Sequence, residues 1–119
     1  MTISFLFRKP KFPIICNFNG IVMAAKSLKS LEKKLKKIPI DTEKYYDIVD
    51  VTNEGWGFSA KHMVISPLTI KKKWFKREVI DLYNKRKNSS KQGKEYSIKS
   101  ISSKRFDKIF TEIVDLLEK

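Results

Sequence analysis

Two sets of residues in this sequence have the types and spacing to do chemistry. The first is a dense cationic block: Lys71, Lys72, Lys73, Lys76, Arg77, Lys85, Arg86, Lys87, Lys91 and Lys94. Trp74, Phe75 and Tyr83 lie within it, and Tyr96 lies just beyond. Ammonium and guanidinium groups attract phosphates, and flat rings between them offer a surface on which unpaired bases stack. These ten cations are the candidate nucleic-acid-binding residues. Arginine is scarce in the chain, being confined to Arg8, Arg77, Arg86 and Arg105. Bidentate reading of guanine favours arginine, so contact mainly with phosphates and little sequence readout are expected.

The second set is acidic and nucleophilic. A metal-dependent nuclease needs converging carboxylates, and Asp47, Asp50 and Glu54 are the nearest approach to such a group. Asp47 and Asp50 are three residues apart, so on a flat strand they point to opposite faces. Glu54 sits in a turn and could approach one of them. Cys16 and His62 are the sole cysteine and histidine. As a nucleophile pair they lack a third group to orient the base, and singly they exclude paired-histidine and Cys-x-x-Cys metal motifs. The four glycines make neither a phosphate loop nor a dinucleotide fingerprint. The expectation is a non-catalytic protein with no cofactor and no metal, a metal-dependent nuclease being the third reading.

Charge decides between function classes more than any motif does. The net charge of +13 comes from 26 cations and 13 anions, a field that attracts polyanions. A lysine-rich coding bias would also add cations, but it would spread them. Here residues 1–40 carry a net +8, residues 41–60 a net −4, residues 61–105 a net +11 and residues 106–119 a net −2. Such segregation favours a DNA or RNA partner. A protein-interaction module is the alternative, binding an acidic protein or a second copy of the chain. One cysteine cannot form an internal disulfide, which fits a reducing, cytoplasmic setting.

The elements that must position these residues follow from periodicity. The chain has 119 residues, 41% of them hydrophobic, enough for one domain with a real core. Residues 8–25 have the order of a signal peptide, but Asn17, Asn19 and Gly20 interrupt the apolar run. Residues 3–7 and 12–16 are read as short strands, paired or added to a sheet edge. Alternatively, residues 1–22 are an extension ahead of a start at Met23. Residues 26–38 place Leu28, Leu31, Leu35 and Ile38 on one helical stripe among lysines, with Ser27 as cap and Pro39 as stop. Residues 44–66 read as a hairpin or meander in which Trp56 and Phe58 share a face.

A helix is expected over 73–87; Ser66 and Pro67 either close a strand at 62–65 or signal an earlier helix start. Residues 88–94 read as a polar, basic loop, and residues 96–101 as a strand. The last helix is capped by Ser102 or Ser103 and has a wide apolar face of Phe106, Ile109, Phe110, Ile113, Leu116 and Leu117. Its acidic ridge, Glu112, Asp115 and Glu118, matches the basic helix at 26–38, within one chain or across a dimer. In outline the last third resembles the single-stranded-DNA-binding transcriptional coactivators. Gly93 is displaced from their pattern, Phe106 stands where they have a tryptophan, and the resemblance requires residues 79–83 to be a strand. The reading as a whole is one α+β domain, with a small, mostly antiparallel sheet covered on one face by two or three helices.

Overall fold

Alternation of side chains along short apolar segments builds a sheet with two buried faces. The computed structural model describes residues 2–70, 72–88 and 95–118. The strands are β1 (Ser4–Phe5), β2 (Ile14–Phe18), β3 (Ile21–Ala25), β4 (Tyr45–Asp50), β5 (Gly55–Ser59) and β6 (Val64–Pro67). The helices are α1 (Leu28–Leu35), α2 (Lys76–Asn84), α3 (Ser100–Ser103) and α4 (Phe106–Glu118). The strands form one six-stranded sheet in the order β1-β6-β5-β4-β2-β3. The short β1–β6 pair is parallel and the other pairs are antiparallel.

One face carries Ile14, Cys16, Phe18, Ile48, Trp56, Phe58 and Ile65, closed by Leu31 and Leu35 of α1. The other carries Ile15, Val22, Ala24 and Val49. It is closed by Val79, Ile80 and Tyr83 of α2 and by Ile109, Phe110, Ile113 and Val114 of α4. The α+β class and the mostly antiparallel sheet are as expected, with two helices on one face. The third long helix, α1, adds cover to the opposite face.

The apolar run folds as the β2–β3 hairpin, and two of the residues that interrupt it, Asn19 and Gly20, are its turn. Asn19 and Gly20 take φ of 56° and 98°, the left-handed pair that a two-residue hairpin loop requires. The Asn17 side chain accepts the Gly20 N–H at 2.8 Å. Ile14 pairs with Ala25 and also with Asp50, so β2 is an inner strand, while β1 lies at the edge.

In α1, the Ser27 hydroxyl accepts the Ser30 N–H at 3.2 Å, the expected cap. The acidic ridge meets this basic region within one chain. Asp115 pairs with Lys26 at 3.3 Å, and Glu118 pairs with Lys34. Glu112 turns away to Lys104 at 2.7 Å.

Three expectations are corrected. Residues 96–101 do not form a strand. The Asn84 side chain takes the backbone of Tyr96 at both ends, 2.7 Å from its N–H and 3.1 Å from its carbonyl. Tyr96 and Ile101 bury against the α2–α4 core instead of joining a ladder. Ser102 and Ser103 belong to α3, and α4 begins at Phe106. Of the two readings of Ser66 and Pro67 the strand end holds, since they close β6, and α2 begins at Lys76. Residues 79–83 are helical, which removes the strand that the coactivator resemblance needs.

Candidate nucleic-acid interface

The site is built on the turn at residues 50–54, at the end of the sheet where β4 hands over to β5. Asp50 is buried, and five donors satisfy its carboxylate. One oxygen accepts the Thr52 N–H at 2.9 Å, the Thr52 hydroxyl at 2.6 Å and the Glu54 N–H at 3.1 Å. The other accepts the Lys11 N–H at 3.2 Å and the Trp56 indole N–H at 3.0 Å. A buried carboxylate with this many donors fixes the backbone around it, because leaving any donor unmet is costly.

That turn joins the two basic segments of the chain. Arg8 forks onto the Glu54 carboxylate at 3.2 and 2.6 Å, and its guanidinium lies 5.0 Å from the centre of the Trp56 ring. The Glu54 hydrogen bond holds the Arg8 proton more firmly than usual. From the other side, Gly55 donates to the Lys72 carbonyl at 2.8 Å, and Trp74 donates to the Asn53 carbonyl at 2.7 Å. Lys73 bridges Glu54 backbone to backbone. Residues 8–11 and 72–77 are far apart in sequence, and both are tied to one turn.

The same end of the molecule exposes apolar side chains. Phe7 is 86% exposed and Ile70 84%, both leaving the ends of the parallel β1–β6 pair, and Leu6 is half exposed beside them. Phe75 is 72% exposed at the start of α2. Its backbone is fixed, because the Phe75 N–H donates to the Glu78 carboxylate at 2.9 Å. That bond, ahead of the Lys72 contact, lowers the Glu78 pKa below the usual carboxylate range. Trp74 is half-buried against the core, and the Lys72 ammonium lies 4.7 Å from its ring centre. A groove of about 410 Å³ runs between this segment and the α3–α4 junction. It is lined by Asn53, Trp74, Phe75, Lys76, Arg77 and Phe106, with Ile101 at its far side.

The ten candidate cations divide. Lys72, Lys73, Lys76 and Arg77 gather here, with Lys76 donating to the Ile101 carbonyl at 3.0 Å. Lys73 and Arg77 are exposed and make no ion pair among the described residues. Lys85, Arg86 and Lys87 lie at the far end of α2. There the Lys87 N–H donates to the Gly20 carbonyl at 2.8 Å, in the β2–β3 turn. Arg86 is buried: it donates to the Tyr83 carbonyl at 2.8 Å and stacks 3.9 Å from the Tyr83 ring centre. Lys71, Lys91 and Lys94 lie outside the described residues.

Arg8, Lys9 and Lys11 join this surface although no local pattern in the sequence marks them as part of it. The signal was the net +8 of residues 1–40, which periodicity alone does not connect to residues 72–77. Phe106 was read as core, and it is half-buried at the groove and stacked on Phe110.

The groups considered for catalysis sit apart from one another. Cys16 is fully buried in the α1-side core, and burial pushes its thiol pKa strongly up. His62 is exposed in the turn before β6. Asp47 is exposed on the opposite sheet face from buried Asp50, and Glu54 is engaged by Arg8. Among the described residues, no group of three His, Cys, Asp or Glu side chains is arranged to hold a metal ion. Likewise, none of the described helices is long and apolar enough to cross a membrane. No protein-family model, curated protein or solved structure matches this chain.

Proposed function

We propose that this protein binds nucleic acid non-catalytically, through the basic end of its sheet. The observation that carries the reading is the meeting of residues 8–11 and 72–77 around Glu54, through the Arg8 fork and the Lys73 bridge. Phosphates would lie along Lys9, Lys11, Lys73 and Arg77, with Lys72 beside them on Glu78. The nearby acids are taken up inside the fold: Glu54 by Arg8, Glu78 by Lys72, and Asp50 by its five donors. Each neutralised phosphate adds close to one unit to the salt dependence of binding.

The test is fluorescence anisotropy with labelled single-stranded DNA, duplex DNA and RNA across a salt series. The expected result is micromolar or tighter binding at about 150 mM salt, with a steep log–log slope. A Lys72→Ala/Lys73→Ala/Arg77→Ala protein should bind more weakly and with a shallower slope. Loss of binding to every ligand by that salt concentration would leave only a generic attraction.

A second reading is favoured by Leu6, Phe7 and Ile70, whose exposure phosphate contact does not use. An acidic protein partner would cover these side chains and pair with the surrounding cations. Phe7→Ser would then abolish association with that partner while leaving nucleic-acid binding unchanged.

A further inference from the structure

We infer, building on the nucleic-acid reading, that the ligand is single-stranded and that unpaired bases stack in the groove formed by Trp74, Phe75 and Phe106. Phe75 is a large apolar ring presented to solvent from a fixed backbone, not from a loose loop. A ring exposed in this way leaves one π-face for a ligand, and a base supplies the matching face. Beside it, the groove of about 410 Å³ has two further rings in its lining and Lys76 and Arg77 on its rim. Lys72 already lies over Trp74, a cation over a ring, and Arg105, exposed next to Phe106, is paired with Asp107 at 3.6 Å. The Asn53 side-chain amide makes no hydrogen bond among the described residues and lines the same groove. It can offer one donor and one acceptor to a base edge.

Charge complementarity selects a polyanion, and the rings select one whose bases are open. In a duplex the base faces are buried in the stack, so Trp74, Phe75 and Phe106 would find nothing to cover. The surface of this chain best suited to a duplex is elsewhere, at the C-terminal end of α1, where Lys33 and, just beyond the helix, Lys36 and Lys37 are exposed.

The experiment compares four labelled ligands of equal length, about 15 nucleotides. They are an oligothymidylate, an oligouridylate, an abasic single strand with the same phosphates, and a duplex. They are measured with the intact protein, with Phe75→Ala, with Lys72→Ala/Lys73→Ala, and with Lys33→Ala/Lys36→Ala/Lys37→Ala. Stacking predicts that Phe75→Ala weakens binding to the base-bearing strands about 5- to 150-fold without changing the salt slope. Binding to the abasic strand should be weak from the start and unaffected by Phe75→Ala. Trp56 is buried, so quenching of tryptophan fluorescence on binding would report Trp74 in the groove.

Equal affinity for abasic and base-bearing strands, with loss only in Lys72→Ala/Lys73→Ala, would overturn base stacking and leave the nucleic-acid reading standing. Preference for duplex with loss in the α1 variant would also overturn it and move the interface. If no ligand binds near physiological salt, both readings fall. Phe75 is exposed, so its alanine variant should unfold at the wild-type temperature, and a large drop would disqualify that variant and transfer the test to the abasic comparison and Trp74 quenching, where equal affinity for abasic and base-bearing strands without quenching overturns stacking.

Discussion

Replacing Asp50 by asparagine keeps the shape of the side chain and turns one of its two acceptor oxygens into an N–H donor. In the wild type, Oδ1 accepts from the Thr52 N–H, the Thr52 hydroxyl and the Glu54 N–H. Oδ2 accepts from the Lys11 N–H and the Trp56 indole N–H. Whichever way the amide is turned, at least two N–H donors face another donor. Each such loss in a buried site costs about 1–3 kcal/mol, so the substitution should destabilise the fold by about 2–6 kcal/mol. Against a typical total of about 5–15 kcal/mol this is a large fraction.

The assay is urea unfolding followed by tryptophan emission, to which buried Trp56 and half-buried Trp74 both contribute. For a slope of about 1–3 kcal/mol/M, a 4 kcal/mol loss lowers the midpoint by about 1–4 M. The Lys11 backbone and the turn bearing Glu54 should loosen together, so nucleic-acid affinity should fall even at temperatures where the variant remains folded. An unchanged midpoint would refute the view that Asp50 organises this end of the sheet.

Three further outcomes follow from the same packing. Cys16 should resist a disulfide reagent in the native protein and react rapidly in urea, because burial keeps its thiol protonated; rapid native labelling would contradict this. Phe110→Ala should cost about 3–5 kcal/mol in chemical denaturation, since its ring is wholly buried, whereas Phe75→Ala should stay within about 0.5 kcal/mol. The Tyr96–Glu112–Lys104 group should make stability depend on pH at both extremes. The Lys104 hydrogen bond, then that of Tyr96, lowers the Glu112 pKa, so its contribution is present above about pH 4.3 and lost as pH falls through the lower folded value. Burial, then Glu112, raises the Tyr96 pKa, and Glu112 raises that of Lys104. Their contribution is therefore complete below about pH 10 and lost as pH rises further. Glu112→Gln should remove the acid limb and weaken the alkaline limb, leaving the part due to burial of Tyr96, and an unaltered profile in a thermal-melt series would refute the assignment.

Much of the layering was legible because it rests on local periodicity. The Leu31–Leu35 stripe, the Ser27 cap and the Trp56–Phe58 alternation each depend on residues a few positions apart. So does the Ile109, Phe110 and Ile113 face of α4, although Val114 joins that face and Leu116 is 38% exposed. The β2–β3 hairpin was hidden because its turn pair, Asn19-Gly20, was read as a flaw in an apolar run. The strand expected at 96–101 failed because the Asn84 side chain supplies the hydrogen bonds that a ladder would otherwise give.

The candidate site was half legible. The cations and rings of 72–77 stood out, but Arg86 was counted as ligand-binding when it is buried on Tyr83. The role of residues 8–11 depends on Glu54, which composition had marked only as part of an acidic segment. Long-range pairing of a buried acid with a distant arginine leaves no periodic trace in sequence.

The interface is tested most directly by anisotropy with a labelled oligothymidylate at about 150 mM salt, comparing the intact protein with Phe75→Ala and with Lys72→Ala/Lys73→Ala/Arg77→Ala. Micromolar or tighter binding, reduced by Phe75→Ala with an unchanged salt slope and by the triple variant with a shallower one, is the predicted result. Binding that neither variant affects, or no binding at that salt concentration, would contradict the assignment of this surface to nucleic acid.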